Sequence, residues 1–192
     1  MRVSVDRESG GEQLLYVYSG VVGEFYFRAP VGSTGVPTDP SGKLSLDPNA
    51  YYRLVAKHSG KCLDIMAERA ILQQYYCLDN APRQAFRFKL RPDGSYSLLP
   101  KEPGNQCLDL FYWIEENGGF LTTWSCHDGL NQAFRLNPAG EGYYKLVPQN
   151  SKKCVTIVNA SHGVNVLALQ WDCIAGPAGA HQQFRIEPWP GK

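Results

Sequence analysis

From Tyr51 onward, apolar and polar residues alternate in short runs, the period of strands buried on one face. Tyr51-Tyr52-Arg53-Leu54-Val55, Cys62-Leu63-Asp64-Ile65 and Phe86-Arg87-Phe88-Lys89-Leu90 all read this way. Turn formers separate them: Ser59-Gly60, Pro92-Asp93-Gly94, Pro103-Gly104 and Ala139-Gly140. No stretch of this region sustains a helical period free of Gly or Pro over about ten residues, so the expectation is all-β.

The pattern is written three times. Tyr51–Val55, Ser95–Leu99 and Tyr143–Val147 lead to Cys62-Leu63-Asp64-Ile65, Cys107-Leu108-Asp109-Leu110 and Cys154-Val155-Thr156-Ile157. Each copy then places an aromatic two residues before a second cysteine, in Tyr75/Cys77, Trp124/Cys126 and Trp171/Cys173. Each closes on Gln-x-Phe, in Gln84-Ala85-Phe86, Gln132-Ala133-Phe134 and Gln182-Gln183-Phe184. First cysteines recur about every 45 residues, the period of a repeat architecture whose units share one core. Four short strands per copy, three times over, predict a closed barrel capped by hairpins; a propeller needs at least four blades. Leu63, Ile65, Phe86, Leu98, Phe134, Leu146 and Phe184 are the expected core.

Residues 1–50 stand apart. Leu14–Tyr18 and Val21–Phe27, joined at Ser19-Gly20, read as a β-hairpin, and the Gly/Pro/Ser-rich stretch from Pro30 to Pro48 reads as a linker. A lone hairpin is marginal in water, so it packs on the rest, pairs with another chain, or is the remnant of an upstream domain. The expected division is residues 1–50, then 51–192 with repeats at about 51–92, 93–140 and 141–188.

Taken together, these motifs resemble the ricin B-type (R-type) lectin β-trefoil over about Tyr51 to Pro188. The chain departs from the family in carrying Phe where the closing motif usually has Trp. The six cysteines fall two per copy, and a unit that repeats its chemistry pairs Cys62 with Cys77, Cys107 with Cys126 and Cys154 with Cys173. No C-x-x-C pair and only scattered histidines argue for metal, so no metal and no cofactor is expected. Bridges imply an oxidising, secreted setting. Met1-Arg2-Val3-Ser4 opens no signal peptide, so a leader or upstream part is expected outside this sequence, or another export route.

The resemblance implies sugar sites built from the Asp after the first Cys, the residues four and two before the second Cys, and an Asn before Gln-x-aromatic. A carboxylate accepts from vicinal hydroxyls, an aromatic face stacks on the sugar's C–H face, and an amide both donates and accepts. The second copy supplies Asp109, Trp124 and Asn131, with Thr122 replacing the Gln, and Phe111-Tyr112-Trp113 as a second shelf or an interface patch. In the first copy Asp64, Gln73 and Tyr75 are present, but Arg83 stands for Asn; it either donates to a hydroxyl or neutralises Asp64. The third has Thr156, Leu169 and His181 at the polar positions and keeps only Trp171, which is expected to pack; Gln170 is out of phase and points to the other face. The expected ranking is second, first, third. Asp64 and Asp109 have a blander reading as turn carboxylates, and the Gln-x-Phe glutamines as loop braces.

Charge and composition narrow the partners. A net charge of +1 gives no electrostatic footprint for nucleic acid, and no apolar run approaches a membrane span, so neither nucleic-acid binding nor membrane insertion is expected. Nothing marks an enzyme: His58, His127, His162 and His181 sit beside no nucleophile motif, and Glu115-Glu116 would point to opposite faces of a strand. The reading is a lectin for galactose- or N-acetylgalactosamine-type glycans on glycoproteins or glycolipids, serving as adhesin, agglutinin or targeting part of a toxin or glycosidase. The alternative is a trefoil that recognises protein, as inhibitor or receptor ligand, with degenerate sugar sites.

Overall fold

The structure is a computed structural model describing the strand backbone at residues 3–5, 12–17 and 25–30, and residues 44–67 and 70–191 in full. The chain forms two compact units, Met1–Gly35 and Val36–Lys192. In the first, β1 (Val3–Val5), β2 (Glu12–Val17) and β3 (Phe25–Pro30) form an antiparallel sheet in that order. The expected hairpin is therefore the β2–β3 pair, with β1 added at its edge. Residues 18–24, where its second strand was expected to start, lie outside the described residues, as do residues 31–43 of the expected linker.

The second unit has four strands per repeat. The first contributes β4 (Tyr52–Ala56), β5 (Cys62–Ile65), β6 (Leu72–Tyr75) and β7 (Phe86–Leu90). The second contributes β8 (Tyr96–Pro100), β9 (Gln106–Leu110), β10 (Leu121–Ser125) and β11 (Phe134–Pro138). The third contributes β12 (Tyr143–Pro148), β13 (Cys154–Ile157), β14 (Val166–Trp171) and β15 (Phe184–Pro188). The outer strands of each repeat close a ring: β4–β7, β7–β8, β8–β11, β11–β12, β12–β15 and β15–β4 all pair antiparallel. The inner strands form three hairpins, β5–β6, β9–β10 and β13–β14, which touch one another through Leu167↔Gln73, Ile71↔Thr122 and Phe120↔Leu169. This is a three-fold barrel with a hairpin cap, the β-trefoil expected from the repeats.

The threefold writing of the sequence becomes threefold layers of core. Leu54, Leu98 and Leu146 are buried on the first strand of each repeat, and Phe86, Phe134 and Phe184 on the last; Ile65, Leu110 and Ile157 are buried on the hairpins. Each such side chain contributes about 1.5–3 kcal/mol on burial. The barrel turns reuse one device: Gly94 and Gly140 take positive φ (78° and 83°), a conformation glycine adopts without a Cβ clash. The expected pairs Cys62–Cys77, Cys107–Cys126 and Cys154–Cys173 are bridged, with sequence separations of 15, 19 and 19 residues. Each loop closure removes about 3 kcal/mol of denatured-state entropy.

Candidate functional site

Each hairpin, with the 3-10 turn that follows it, assembles the expected site residues of one repeat. In the second repeat Asp109 on β9 lies opposite Thr122 on β10, and Trp124 follows on the same face. Asn131 and Gln132 arrive on the turn Leu130–Gln132. Asn131 Nδ2 donates to Asp109 Oδ2 at 3.0 Å, and Gln132 Nε2 donates to the same oxygen at 2.8 Å. Gln132 also donates to Ser125 O (3.0 Å) and accepts from the His127 N–H (2.9 Å). Asp109 is thus a carboxylate fixed by side-chain amides, and the closing glutamine binds it directly as well as bracing the loop.

Asp109, Thr122 and Asn131 line a cavity of about 260 Å³ together with Phe111, Tyr112, Trp113, Trp124 and His127. Trp124 is 61 % exposed and Tyr112 80 %, so their ring faces are open to solvent. Phe111 stacks on Phe120 with ring centroids 4.6 Å apart, anchoring the turn from which Tyr112 and Trp113 project. Both projecting residues have left-handed backbone, φ 51° and 57°, which costs non-glycine residues about 1–2 kcal/mol each. The third repeat makes the same turn at Asn159 and Ala160 (φ 55° and 48°), so the conformation belongs to the fold and the aromatic rings to the second repeat. Trp113 lies near-parallel to His127, 13° between planes and 6.3 Å between centroids. His127 Nε2 stands 3.6 Å from Asp109 Oδ2. Burial raises the Asp109 pKa above the ordinary carboxylate value, an effect opposed by the Gln132 hydrogen bond, the His127 charge and the Asn131 hydrogen bond.

Two features here were not read from the sequence. Gly129 has an ordinary φ of −62°, but a Cβ there would meet His127 Cε1 at 2.6 Å and Asn131 Oδ1 at 2.7 Å, so a larger residue would force those side chains to shift. His127 is the first residue after the second cysteine, and that position was the available signal. Thr122 departs from its expected role: its hydroxyl donates to Ala70 O at 3.0 Å, across the repeat boundary.

The first repeat is arranged differently. Asp64 Oδ1 accepts from Gln73 Nε2 (3.2 Å) and Oδ2 from Gln84 Nε2 (2.9 Å), so both carboxylate oxygens are engaged. Tyr75 meets Tyr76 edge-on at 5.6 Å. Arg83 stands on the turn Pro82–Gln84 and forms no ion pair with Asp64, so neutralisation of that carboxylate is not seen. In the third repeat Thr156 Oγ1 donates to Cys154 O (2.8 Å) and accepts from Gln182 Nε2 (2.9 Å), which uses its only donor hydrogen. Gln170, out of phase as expected, is buried on the other face and donates to Ile114 O and Glu116 O (2.8 and 2.7 Å). Trp171, expected to pack, is instead 45 % exposed on a cavity of about 300 Å³ shared with Thr156, Leu169 and His181.

The family model of the ricin-type β-trefoil lectin domain matches residues 50–184. A designed 3-fold symmetric protein, ThreeFoil, is 33 % identical, with a TM-score of 0.66 over 71 % of this chain and 97 % of its own. An exo-β-1,3-galactanase from Clostridium thermocellum is 20 % identical, with a TM-score of 0.63 over 92 % of this chain but 38 % of the galactanase. The C-terminal half of an earthworm R-type lectin, solved in complex with GalNAc, is 14 % identical, with a TM-score of 0.55 over 72 % of this chain and 98 % of its own. Among curated proteins none matches the sequence.

Proposed function

This chain belongs to the ricin-type β-trefoil lectin family, and from that premise we propose that its second repeat is the principal sugar site, for galactose- or N-acetylgalactosamine-type residues. Carbohydrate binding is the function the family membership carries; which sugar, and through which pocket, is the proposal. One observation supports it above the rest. Asp109 is held by two amides at the foot of an aromatic-walled cavity, and both amides converge on its Oδ2. Oδ1 is thereby left to accept from a ligand hydroxyl, in a charge-assisted hydrogen bond of the stronger class. Asn131 Oδ1, buried and without a partner, is a second acceptor at the same place. Trp124 would supply the platform for the sugar's C–H face.

The first repeat is the weaker candidate, because Arg83 stands where the second repeat has Asn131 and both Asp64 oxygens already accept from amides, where Asp109 keeps one oxygen open. The third lacks the carboxylate, with Thr156 at the position of Asp109. The lectin unit, residues 51–192, would act as a non-catalytic glycan-binding module outside the cell, as adhesin, agglutinin or targeting part; its three bridges suit an oxidising compartment. Among the described residues no helix is long and apolar enough to cross a membrane. A glycan array on the full chain tests this, repeated with Asp109→Ala and Asp64→Ala. Asp109→Ala is expected to lower affinity by about tenfold to a hundredfold, the loss of a 1.5–3 kcal/mol hydrogen bond, and Asp64→Ala to do less. Full binding by Asp109→Ala refutes the site assignment, and a blank array for the unmodified chain favours the protein-recognising alternative.

A further inference from the structure

We propose that the second repeat recognises an oligosaccharide, its first sugar held at Asp109 and the next in a polar groove on the far side of His127. This rests on reading the Asp109 cavity as a sugar pocket and extends that reading to the ligand's length. The groove measures about 590 Å³, against about 260 Å³ for the Asp109 cavity, and His127 lines both. It runs between the β7–β8 turn and the loop after Cys126, with Lys89, Arg91, Asp93, Asp128 and the Cys107–Cys126 bridge along it.

Its walls are fixed in place. Arg91 donates to Ser97 Oγ (3.2 Å) and to Asp128 O (2.5 Å), tying the turn to the loop. Asp93 is held by the Ser95 hydroxyl and N–H (2.6 and 3.0 Å). His127 accepts from the Gly129 N–H at Nδ1 (3.0 Å) and stacks on Trp113, so the partition between cavity and groove is itself braced. Preorganised polar walls lower the cost of binding a flexible chain. Two cations, Lys89 and Arg91, face two carboxylates, Asp93 and Asp128, so the groove is dense in donors and acceptors without net charge. That is the chemistry of a neutral, hydroxyl-rich ligand, not of an anion.

The third repeat supplies a comparison within the same molecule. It has an equivalent groove at Lys57, Glu141, Lys145 and Gln183, about 560 Å³, and its own cavity at Trp171, yet no residue lines both. The bridging position thus separates the second repeat from the third.

The test is an amide-resolved NMR titration of the full chain with galactose and with a trisaccharide that ends in galactose. Galactose is expected to shift the amides of residues 109–113 and 122–132 only. The trisaccharide should add shifts at residues 89–93 and bind about tenfold tighter, about 1.4 kcal/mol. Lys89→Ala with Asp128→Ala, which leaves the Asp128 carbonyl in place for Arg91, should bring the trisaccharide down to galactose's affinity without changing galactose's own. Equal affinities with the same amides moved by both sugars overturn the groove while leaving the pocket standing. Shifts absent around Asp109 with both sugars overturn the pocket, and the extension with it.

Discussion

Asp109 is kept ionised against its surroundings. Burial raises its pKa, so its charge costs stability at neutral pH, and the native state gains stability as pH falls through the raised value toward the ordinary 3.8 of a carboxylate. Removing the charge while keeping an oxygen for the Gln132 and Asn131 amides should relieve that cost. Asp109→Asn is therefore expected to melt no lower than the unmodified chain at pH 7 while losing sugar affinity by about tenfold or more. A lower melting midpoint with binding intact would show that Asp109 is a structural carboxylate. The same shift predicts that sugar binding, followed by calorimetry on lowering the pH, fails above the range in which an ordinary aspartate would protonate. Gly129 gives a second check on this corner. A Cβ would press on His127 and Asn131, whose ring and amide lie inside ordinary contact distance of it. Gly129→Ala should cost about one hydrogen bond, about 1 kcal/mol or roughly fivefold in affinity, and affinity unchanged by it would place Asn131 outside the site.

At the level of elements, each hairpin's own ladder lies within one repeat, while the β14–β6 pairing and the side-chain braces cross between repeats. Gln170 on β14 reaches into the second repeat to hold the carbonyls of Ile114 and Glu116, and Gln74 on β6 reaches into the third to hold those of Ser161 and Gly163. Gln170→Ala leaves carbonyls of the 114–119 loop unpaired at about 1–3 kcal/mol, which in a chain of this size lowers the melting midpoint by about 2–4 °C per kcal/mol. Because that loop follows Trp113, sugar affinity should fall with it; a midpoint that does not move would show that solvent replaces the amide without loss. The strands and the cysteine pairs were legible in the sequence because they are local periodicities written three times, whereas the corner of Asp109, Trp124 and Asn131, complete in the second copy alone, came from the family resemblance. The braces were not legible: a glutamine one residue out of phase shows which face it takes, but its partner depends on how hairpins from different repeats meet. Thr122 shows the same limit, since its hydroxyl donates to Ala70 O of the neighbouring repeat, a partner the sequence did not show. Trp171 was read as packing because its polar companions are missing, yet exposure follows strand position, and its position is that of Trp124.

For the whole lectin unit, the seam between first and third repeats closes the ring and carries its sensitive chemistry. β4 and β15 pair along their length, and Glu187, buried, is bound by Arg53 (2.9 Å) and by Arg185 (2.6 Å). Tyr51 and Trp189 meet edge-on there, with Trp189 N–H donating to Tyr51 O. On the same seam His58 of the first repeat faces His162 and His181 of the third, with ring centroids 5.2 and 6.3 Å away. His58 Nε2 lies 3.0 Å from Ser161 O, and its Nδ1 is buried without a partner, so a second ring proton would have nowhere to go. Burial above all holds the His58 pKa below 6.5, against a raising contribution from the Ser161 carbonyl, and repulsion from His162, His181 and Lys61 adds to the lowering. Burial and Lys145 hold His181 low as well, partly offset by a hydrogen bond to the Ala178 backbone. The unfolded chain therefore binds more protons than the native one at this seam. Its stability is complete above about pH 6.5 and is lost as pH falls through the lowered native values. Thermal melts between pH 8 and pH 5 should show the midpoint falling below pH 6.5, and His58→Asn, which removes the titrating ring, should flatten that slope. An unmodified chain whose midpoint is level across this window, or a His58→Asn variant with the same slope, would mean that the seam accepts the proton by rearranging at no cost.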